Sequence, residues 1–257
     1  EQIESAEAQL FDLAEKGTSS NGFVPFSDAV NGALSNAEEA FHRDGGLAGI
    51  STGLTDLDRQ IGGLHKSDLL ILAGRPSMGK TALAVNIAVN IAKAFAYEPQ
   101  PDGTRKTVRG GIVAFYSLEM AADQLATRIL SETSGVPSDK LRKGEIDVSE
   151  FQRLKEAAMD ISAVPLYIDD TGGIALAKLP ASARRLKRTV SLDCLMVDYL
   201  QLVTTGDLYA NNRVQEVSAI TMGLKSLAKE LQVPVIALSL LARQVESRDD
   251  KRPQLSD

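Results

Sequence analysis

One short segment constrains this chain more than any other: the eight residues from Gly74 to Thr81, which read GRPSMGKT. They match the pattern G-x-x-x-x-G-K-[ST] and lie between an apolar run at residues 68–73 and a helical pattern at residues 81–96. Glycines let the backbone curl so that its N–H groups face a phosphate, and the following helix adds its positive end. The pattern predicts a phosphate-binding loop in which Lys80 reaches the β- and γ-phosphates and the Thr81 hydroxyl binds Mg²⁺. The predicted nucleotide-binding residues are Gly74, Arg75, Pro76, Ser77, Met78, Gly79, Lys80 and Thr81.

The rest of the chain alternates between short β-rich apolar runs and amphipathic helical patterns. Such alternation predicts an α/β fold with a parallel sheet and helices on both faces. A further helical pattern begins at Ser27, and the proline- and glycine-rich residues 98–111 are interpreted as a surface excursion. The apolar runs cover residues 68–73, 111–117, 165–168, 194–203 and 234–241. The helical patterns between them cover residues 81–96, 122–133, 149–161, 176–189 and 215–231.

Composition excludes several classes of protein. Lys and Arg total 28 against 34 Asp and Glu, so the net charge is −6. Because the chain as a whole is acidic, any nucleic-acid site must be a local patch of basic residues. Basic runs at residues 140–143 and 184–188 are interpreted as solvated helix faces. One cysteine and two histidines exclude an internal disulfide and the usual zinc sites. No apolar run is long enough to span a membrane, so we expect a protein of the cytoplasm, without membrane partners.

Carboxylates follow three of the predicted strands. Asp198 ends the apolar run at residues 195–197, where it would hold Mg²⁺ directly or through water, the alternative being a simple strand-end cap. Glu119 follows another strand at the sheet edge where ligands bind, and spacing alone leaves it open between a catalytic carboxylate and an exposed loop glutamate. The pair Asp169–Asp170 ends a third strand and is the weaker candidate.

Beyond these motifs, the sequence resembles the C-terminal ATPase domain of bacterial replicative DNA helicases, the DnaB family. The resemblance implies a RecA-like fold in a six-membered ring, with ATP and Mg²⁺ bound at subunit boundaries. It also implies that Glu119 is the catalytic carboxylate and that Arg128 contacts the nucleotide. The blocks that carry the resemblance are residues 51–64 (STGLTDLDRQIGGL), 70–83 (LILAGRPSMGKTAL), 117–120 (SLEM), 195–202 (LMVDYLQL), 224–237 (LKSLAKELQVPVIA) and 248–257 (RDDKRPQLSD).

The same resemblance implies partners and a domain organisation. An apolar stripe at residues 1–16 resembles the family's linker helix, which docks on the adjacent subunit, so residues 1–22 are predicted to form a linker helix and joint. Residues 23–257 are then the RecA-like ATPase domain. Residues 204–213 would face the channel through which single-stranded DNA passes, with Arg213 near phosphates. A helicase loader, primase and 5′→3′ translocation are implied by the family alone.

Two departures from the family pattern bear on function. Leu240 stands where the family has a glutamine that senses the γ-phosphate, and leucine has no hydrogen-bonding side chain. The family pattern also continues beyond Asp257 to an arginine finger and is preceded by an N-terminal domain, so we expect an ATPase domain that is incomplete at its C-terminus. The leading hypothesis is an ATP-driven ring helicase. The alternatives are another RecA-like ATPase, of the recombinase or clock type, and a nucleotide-gated docking module for a loader or primase.

Overall fold

The computed structural model describes residues 23–42, 47–101, 105–206 and 212–241. The chain divides into two compact units, the first ending at Ala48 and the second beginning at Gly49. The linker helix predicted at residues 1–16 lies outside the described residues. Among the described helices, none has the length and apolar character that crossing a bilayer requires.

The first unit contains one described helix, α1 (Phe26–His42), which confirms the helical pattern that begins at Ser27. Three of its large apolar side chains, Phe26, Val30 and Leu34, are exposed. Because they are spaced four residues apart, they form one apolar stripe along the helix.

The second unit is built around a five-stranded sheet, whose strands lie in the order β1 (Leu69–Gly74), β7 (Val235–Leu240), β6 (Cys194–Asp198), β4 (Val113–Ser117) and β5 (Leu166–Asp169). Every adjacent pair in this sheet is parallel, so all the strands point their carboxyl ends toward the same edge. This architecture confirms the predicted α/β fold. A separate hairpin pairs β2 (Ala96–Pro99) with β3 (Arg105–Arg109).

Helices cover both faces of the sheet. Along β6, Leu195 and Val197 belong to one buried cluster, whereas Cys194 and Met196 belong to another. Side chains alternate between the two faces of a strand, so the two clusters lie on opposite sides of the sheet. The helices of this unit are α2 (Thr55–Ile61), α3 (Lys80–Lys93), α4 (Ala122–Ser134), α5 (Ser138–Lys143), α6 (Val148–Ser162), α7 (Leu179–Val190) and α8 (Arg213–Leu231).

Two segments differ from the sequence-based expectation. The run at residues 194–203 is a strand only as far as Asp198 and continues as a 3₁₀ turn at Leu200–Leu202. The excursion at residues 98–111 contains β3 and part of β2, and this two-stranded hairpin is separate from the main sheet. A hairpin with little buried surface needs no apolar period, which is why its sequence carried no strand signal.

A buried carboxylate anchors the segment that precedes the sheet. Asp58 accepts hydrogen bonds from the Ser51 hydroxyl (2.6 Å), the Thr52 amide (2.9 Å) and the Thr52 hydroxyl (2.7 Å). Asn90, on α3, donates its side-chain amide to the Thr52 carbonyl at 3.1 Å. Between them, Gly53 has a φ of 77°, and a Cβ there would lie 2.5 Å from the Asn90 side chain. Residues 51–53, held by Asp58 and bonded to Asn90, therefore form a clamp on α3, the helix that begins at the phosphate-binding loop.

Candidate nucleotide-binding and active site

The phosphate-binding loop connects β1 to α3. Strand β1 ends at Gly74 and helix α3 begins at Lys80, as the motif predicts. Two residues of the loop have left-handed backbone, Ser77 with a φ of 61° and Gly79 with a φ of 83°. Gly79 is the N-cap of α3 and has no side chain to cap it, so the first-turn N–H groups of the helix can face an anion.

Lys80 folds back over this loop. Its ammonium group donates to the Gly74 carbonyl at 2.8 Å and to the Arg75 carbonyl at 2.9 Å. A Cβ at Gly74 would lie 3.3 Å from the Lys80 side chain, so glycine at this position gives the lysine room to cross the loop. The lysine is thus held at the loop by two main-chain oxygens.

The second acid lies beside the threonine of the loop. Asp198 ends β6, where it pairs in register with Ser117 of β4, and its side chain is buried. Burial raises the pKa of the Asp198 carboxyl, a hydrogen bond with the Thr81 side chain lowers it, and the neighbouring Glu119 charge raises it again. Because Thr81 begins the helix and Asp198 ends a strand, a hydroxyl and a carboxylate meet at the carboxyl edge of the sheet. The role of Asp198 in holding Mg²⁺ stays a prediction.

Two further charged residues act on the same carboxylate. Lys80 and Arg128 both lower the pKa of Asp198, which places their cations within electrostatic range of it. Glu119 is exposed, two residues beyond the end of β4, and Arg128 is exposed on α4. The structure therefore brings together Lys80, Thr81, Glu119, Arg128 and Asp198 around one edge of the sheet.

The weaker candidate pair has a structural partner. An Asp170 carboxylate oxygen accepts the Ala122 amide at 2.9 Å, at the start of α4. Asp169 accepts the Thr171 amide at 3.0 Å. Asp170 therefore fixes the beginning of the helix that carries Arg128.

The sequence also drew attention to Leu240 and Arg213. Leu240 ends β7 and is the register partner of Gly74, so it lies next to the phosphate-binding loop. Arg213 begins α8, where it pairs with Glu216 and donates to the Gln201 carbonyl at 2.9 Å. Its role as a DNA contact remains a prediction. Gln201, whose side chain contacts Leu240, gave no sequence signal because it carries no charge and belongs to no phosphate motif.

The two basic runs lie on helices, as expected, and have acidic partners. Lys140 of the first run is 2.8 Å from Glu150. Arg184 of the second donates through two nitrogens to Glu230. Both cations are about half exposed, and their pairing with local carboxylates agrees with the interpretation as solvated helix faces.

The residues present suit a magnesium nucleotide. Mg²⁺ is usually held by one or two protein oxygens together with phosphate oxygens and waters. The Thr81 hydroxyl and the Asp198 carboxylate are such a pair. Within the described part of the chain, no group of three or more His, Cys, Asp or Glu side chains could hold a metal ion without a nucleotide.

A parallel sheet whose carboxyl edge carries a phosphate-binding loop and a buried aspartate beside the loop threonine defines a P-loop nucleotide-binding domain of the RecA-like class. Residues 49–257 match the family model described as the DnaB-like helicase C terminal domain. The chain belongs to this family, which confirms the resemblance seen in the sequence.

Curated relatives and solved structures agree with this assignment. The chain is 46% identical over 257 residues to "Replicative DNA helicase DnaB" of Rickettsia bellii (strain RML369-C), covering 100% of this chain and 51% of the relative. It is 41% identical over 255 residues to "Replicative DNA helicase DnaC" of Bacillus subtilis (strain 168), covering 99% of this chain and 53% of the relative. The chain thus spans about half the length of these relatives.

Two solved structures share the fold. A solved ATPase domain superposes with a TM-score of 0.78 at 32% identity, covering 92% of this chain and 78% of that one. A structure described as "a DnaB-Like Replicative Helicase And Its Interactions With Primase" gives a TM-score of 0.74 at 30% identity, covering 100% of this chain and 57% of that one. The RecA-like fold predicted from the sequence is confirmed.

Proposed function

We propose that this chain hydrolyses ATP with Mg²⁺ as the motor domain of a replicative DNA helicase. The observation that carries the proposal is the convergence of Lys80, Thr81 and Asp198 at one sheet edge, with Glu119 and Arg128 in electrostatic range. This set supplies a cation for the phosphates, a magnesium-binding pair, and a carboxylate that can orient water.

In this mechanism each side chain has one task. Lys80 leaves the Gly74 and Arg75 carbonyls and neutralises charge on the β- and γ-phosphates. Thr81 and Asp198 would hold Mg²⁺, and the bound ion would supply positive charge that offsets the negative charge developing on the phosphate oxygens. Glu119 accepts a hydrogen bond from the attacking water and aligns it with the γ-phosphate. Arg128 adds positive charge beside the nucleotide.

The partners form a second part of the proposal. The names of the relatives support a replicative DNA helicase. In the proposal the protein translocates on single-stranded DNA, and Arg213 is one of its DNA contacts. The solved helicase studied with primase supports primase as a partner, and a loader follows from the family. The exposed stripe of α1 supports assembly with further copies, since an apolar helix face is stabilised by burial. In the proposal the assembly is a hexamer, joined through the linker helix at residues 1–16, that acts in the cytoplasm.

The test is ATP turnover by the full-length protein, with and without single-stranded DNA and a forked duplex. We expect Lys80→Ala to abolish turnover, and Glu119→Gln to lower it by about 10²–10⁴-fold while nucleotide still binds. Lys143→Ala is the matched control, because this lysine is exposed and pairs only with Asp139 at 3.9 Å among the contacts described. Turnover that survives Lys80→Ala, or a wild-type protein that does not unwind the fork, would refute the proposal.

Leu240 favours a second candidate, a nucleotide-gated docking module for a loader or primase. A leucine beside Gly74 gives the γ-phosphate no hydrogen-bonding partner at that position. In the same assay, this module would bind nucleotide but show no stimulation of turnover by DNA. Stimulation that appears only after Leu240→Gln would favour this candidate, whereas stimulation of the wild type would exclude it.

A further inference from the structure

Gln201 forms a contact between the turn that follows β6 and the end of β7. It lies in the 3₁₀ turn after β6, three residues beyond Asp198. Its side-chain amide donates to the Ser239 hydroxyl at 3.0 Å and to the Leu240 carbonyl at 3.2 Å. Its side-chain oxygen accepts the Leu240 amide at 3.4 Å. Gln201 therefore binds both main-chain polar groups of Leu240, as a neighbouring strand would.

The end of β7 that Gln201 holds is bonded to the phosphate-binding loop. Leu240 is the register partner of Gly74, and the Leu241 amide donates to the Gly74 carbonyl at 3.3 Å. The same carbonyl accepts the Lys80 ammonium at 2.8 Å. When Lys80 turns toward a phosphate, the Gly74 carbonyl loses one of its two donors, and the balance of forces on the end of β7 changes.

In the other direction, Gln201 is bonded to the start of α8. Its main-chain carbonyl accepts Arg213 at 2.9 Å, and Arg213 also pairs with Glu216. Glu216 accepts the Thr205 hydroxyl at 3.4 Å. Gln201 thus connects the end of β7 to the start of α8 directly. Through Arg213 and Glu216 it is also connected to Thr205.

We propose that Gln201 is a positioning residue that transmits nucleotide binding at the Gly74–Lys80 contact to Thr205 and the start of α8. Leu240 cannot make this link with its own side chain, so the amide of Gln201 makes it through the Leu240 main chain. The inference rests on the proposed function in one respect, because it takes a nucleotide as the input.

Two substitutions at this position separate the hydrogen bonds from packing. Gln201→Met keeps the length of the side chain and removes every hydrogen bond that it makes. Gln201→Glu keeps the acceptor for the Leu240 amide but places an anionic oxygen against the Leu240 carbonyl. The matched control is Gln152→Met, because Gln152 is exposed on α6 and its side chain bonds Glu156 at 3.1 Å, away from the site.

Two readouts are measured on the full-length protein. The first is ATP turnover with and without single-stranded DNA, together with the KM for ATP. The second is hydrogen exchange of the Arg213–Glu216 amides with and without a non-hydrolysable ATP analogue, which needs no turnover. For Gln201→Met we expect the stimulation by DNA to fall about tenfold while the KM for ATP stays within about twofold, the size seen for residues that carry coupling. We also expect the nucleotide-dependent change in exchange to disappear, and Gln201→Glu to behave like Gln201→Met.

The outcomes distinguish this inference from the proposed function. Retained stimulation and retained exchange response in Gln201→Met would overturn the inference and leave the proposed function standing. A parallel loss of basal turnover and Tm, absent in Gln152→Met, would also overturn it, because that result indicates a structural role alone. If the wild type lacks turnover but its α8 amides respond to nucleotide, the proposed function fails and the exchange readout alone decides on Gln201. If those amides do not respond in the wild type, the inference fails whatever the turnover.

Discussion

Asp198→Asn is expected to stabilise the ligand-free protein while removing its response to magnesium nucleotide. Burial raises the pKa of the Asp198 carboxyl, and the Glu119 charge raises it further. The Thr81 hydrogen bond and two nearby cations lower it, but the pKa remains raised overall. A carboxyl whose pKa is raised on folding binds its proton more tightly in the native state. Stability therefore falls as pH rises from the unfolded pKa of 3.8 through the raised value, and it stays lower above it. Asparagine keeps an acceptor for Thr81 and carries no charge, so it avoids this loss.

The magnitudes follow from the size of the chain. For a domain of this size, each kcal/mol shifts Tm by about 2–4 °C. A ligand at about 100 times its Kd stabilises the native state by about 2.7 kcal/mol, so Mg²⁺ and an ATP analogue should raise the wild-type Tm by about 5–10 °C. Asp198→Asn should show a higher Tm than the wild type at pH 8 without ligand, and most of the increment due to Mg²⁺ should be absent.

The assay is thermal unfolding between pH 4 and 8, with and without Mg²⁺ and the analogue. Asp193→Asn is the control, because burial also raises the pKa of Asp193, which accepts the Ile112 amide at the opposite end of β6. The control should keep the ligand increment. An Asp198→Asn protein whose Tm matches the wild type at pH 8, or whose Tm difference from it does not shrink toward acid pH, would show that the buried Asp198 charge does not destabilise the native state.

Two further predictions concern the clamp on α3. Asp58→Ala leaves the donors of Ser51 and Thr52 without their acceptor and should lower the free energy of unfolding by about 1–3 kcal/mol in a urea titration at pH 7. Burial raises the pKa of Asp58, but its hydrogen bonds outweigh this effect and the pKa is lowered overall. The loss of unfolding free energy in Asp58→Ala should therefore shrink as pH falls through the lowered pKa. A loss that stays constant with pH would show that the ionised Asp58 does not hold these donors. Gly53→Ala imposes a left-handed backbone on alanine and should destabilise by at least about 1–2 kcal/mol. A change in the same titration no larger than that of the exposed Gly172→Ala would show that the clamp is absent.

The predictable part of this molecule is the part with a local sequence signal. The motif from Gly74 to Thr81 and the apolar run before Asp198 predicted both the fold and the edge where the site lies, because parallel strands bring their carboxyl ends together. The hairpin at β2 and β3 carried no such signal, since its strands are too exposed to need an apolar period. Gln201 carried none either. Its contact with Leu240 joins residues 39 positions apart and depends on how the 3₁₀ turn packs beside β7.

The position of β6 in the sheet bears on how the nucleotide site could be coupled to the start of α8 over a short stretch of chain. All five residues of β6 are buried, and the strand pairs on both sides, with β4 and with β7. Its end carries Asp198, and within 15 further residues the chain passes Gln201 and Thr205 and reaches Arg213. Because the strand is fixed by two neighbours, we expect a change at Asp198 to move the turn that follows the strand more than the strand itself. That turn is where Gln201 meets the end of β7, which the Gly74–Lys80 contact also reaches.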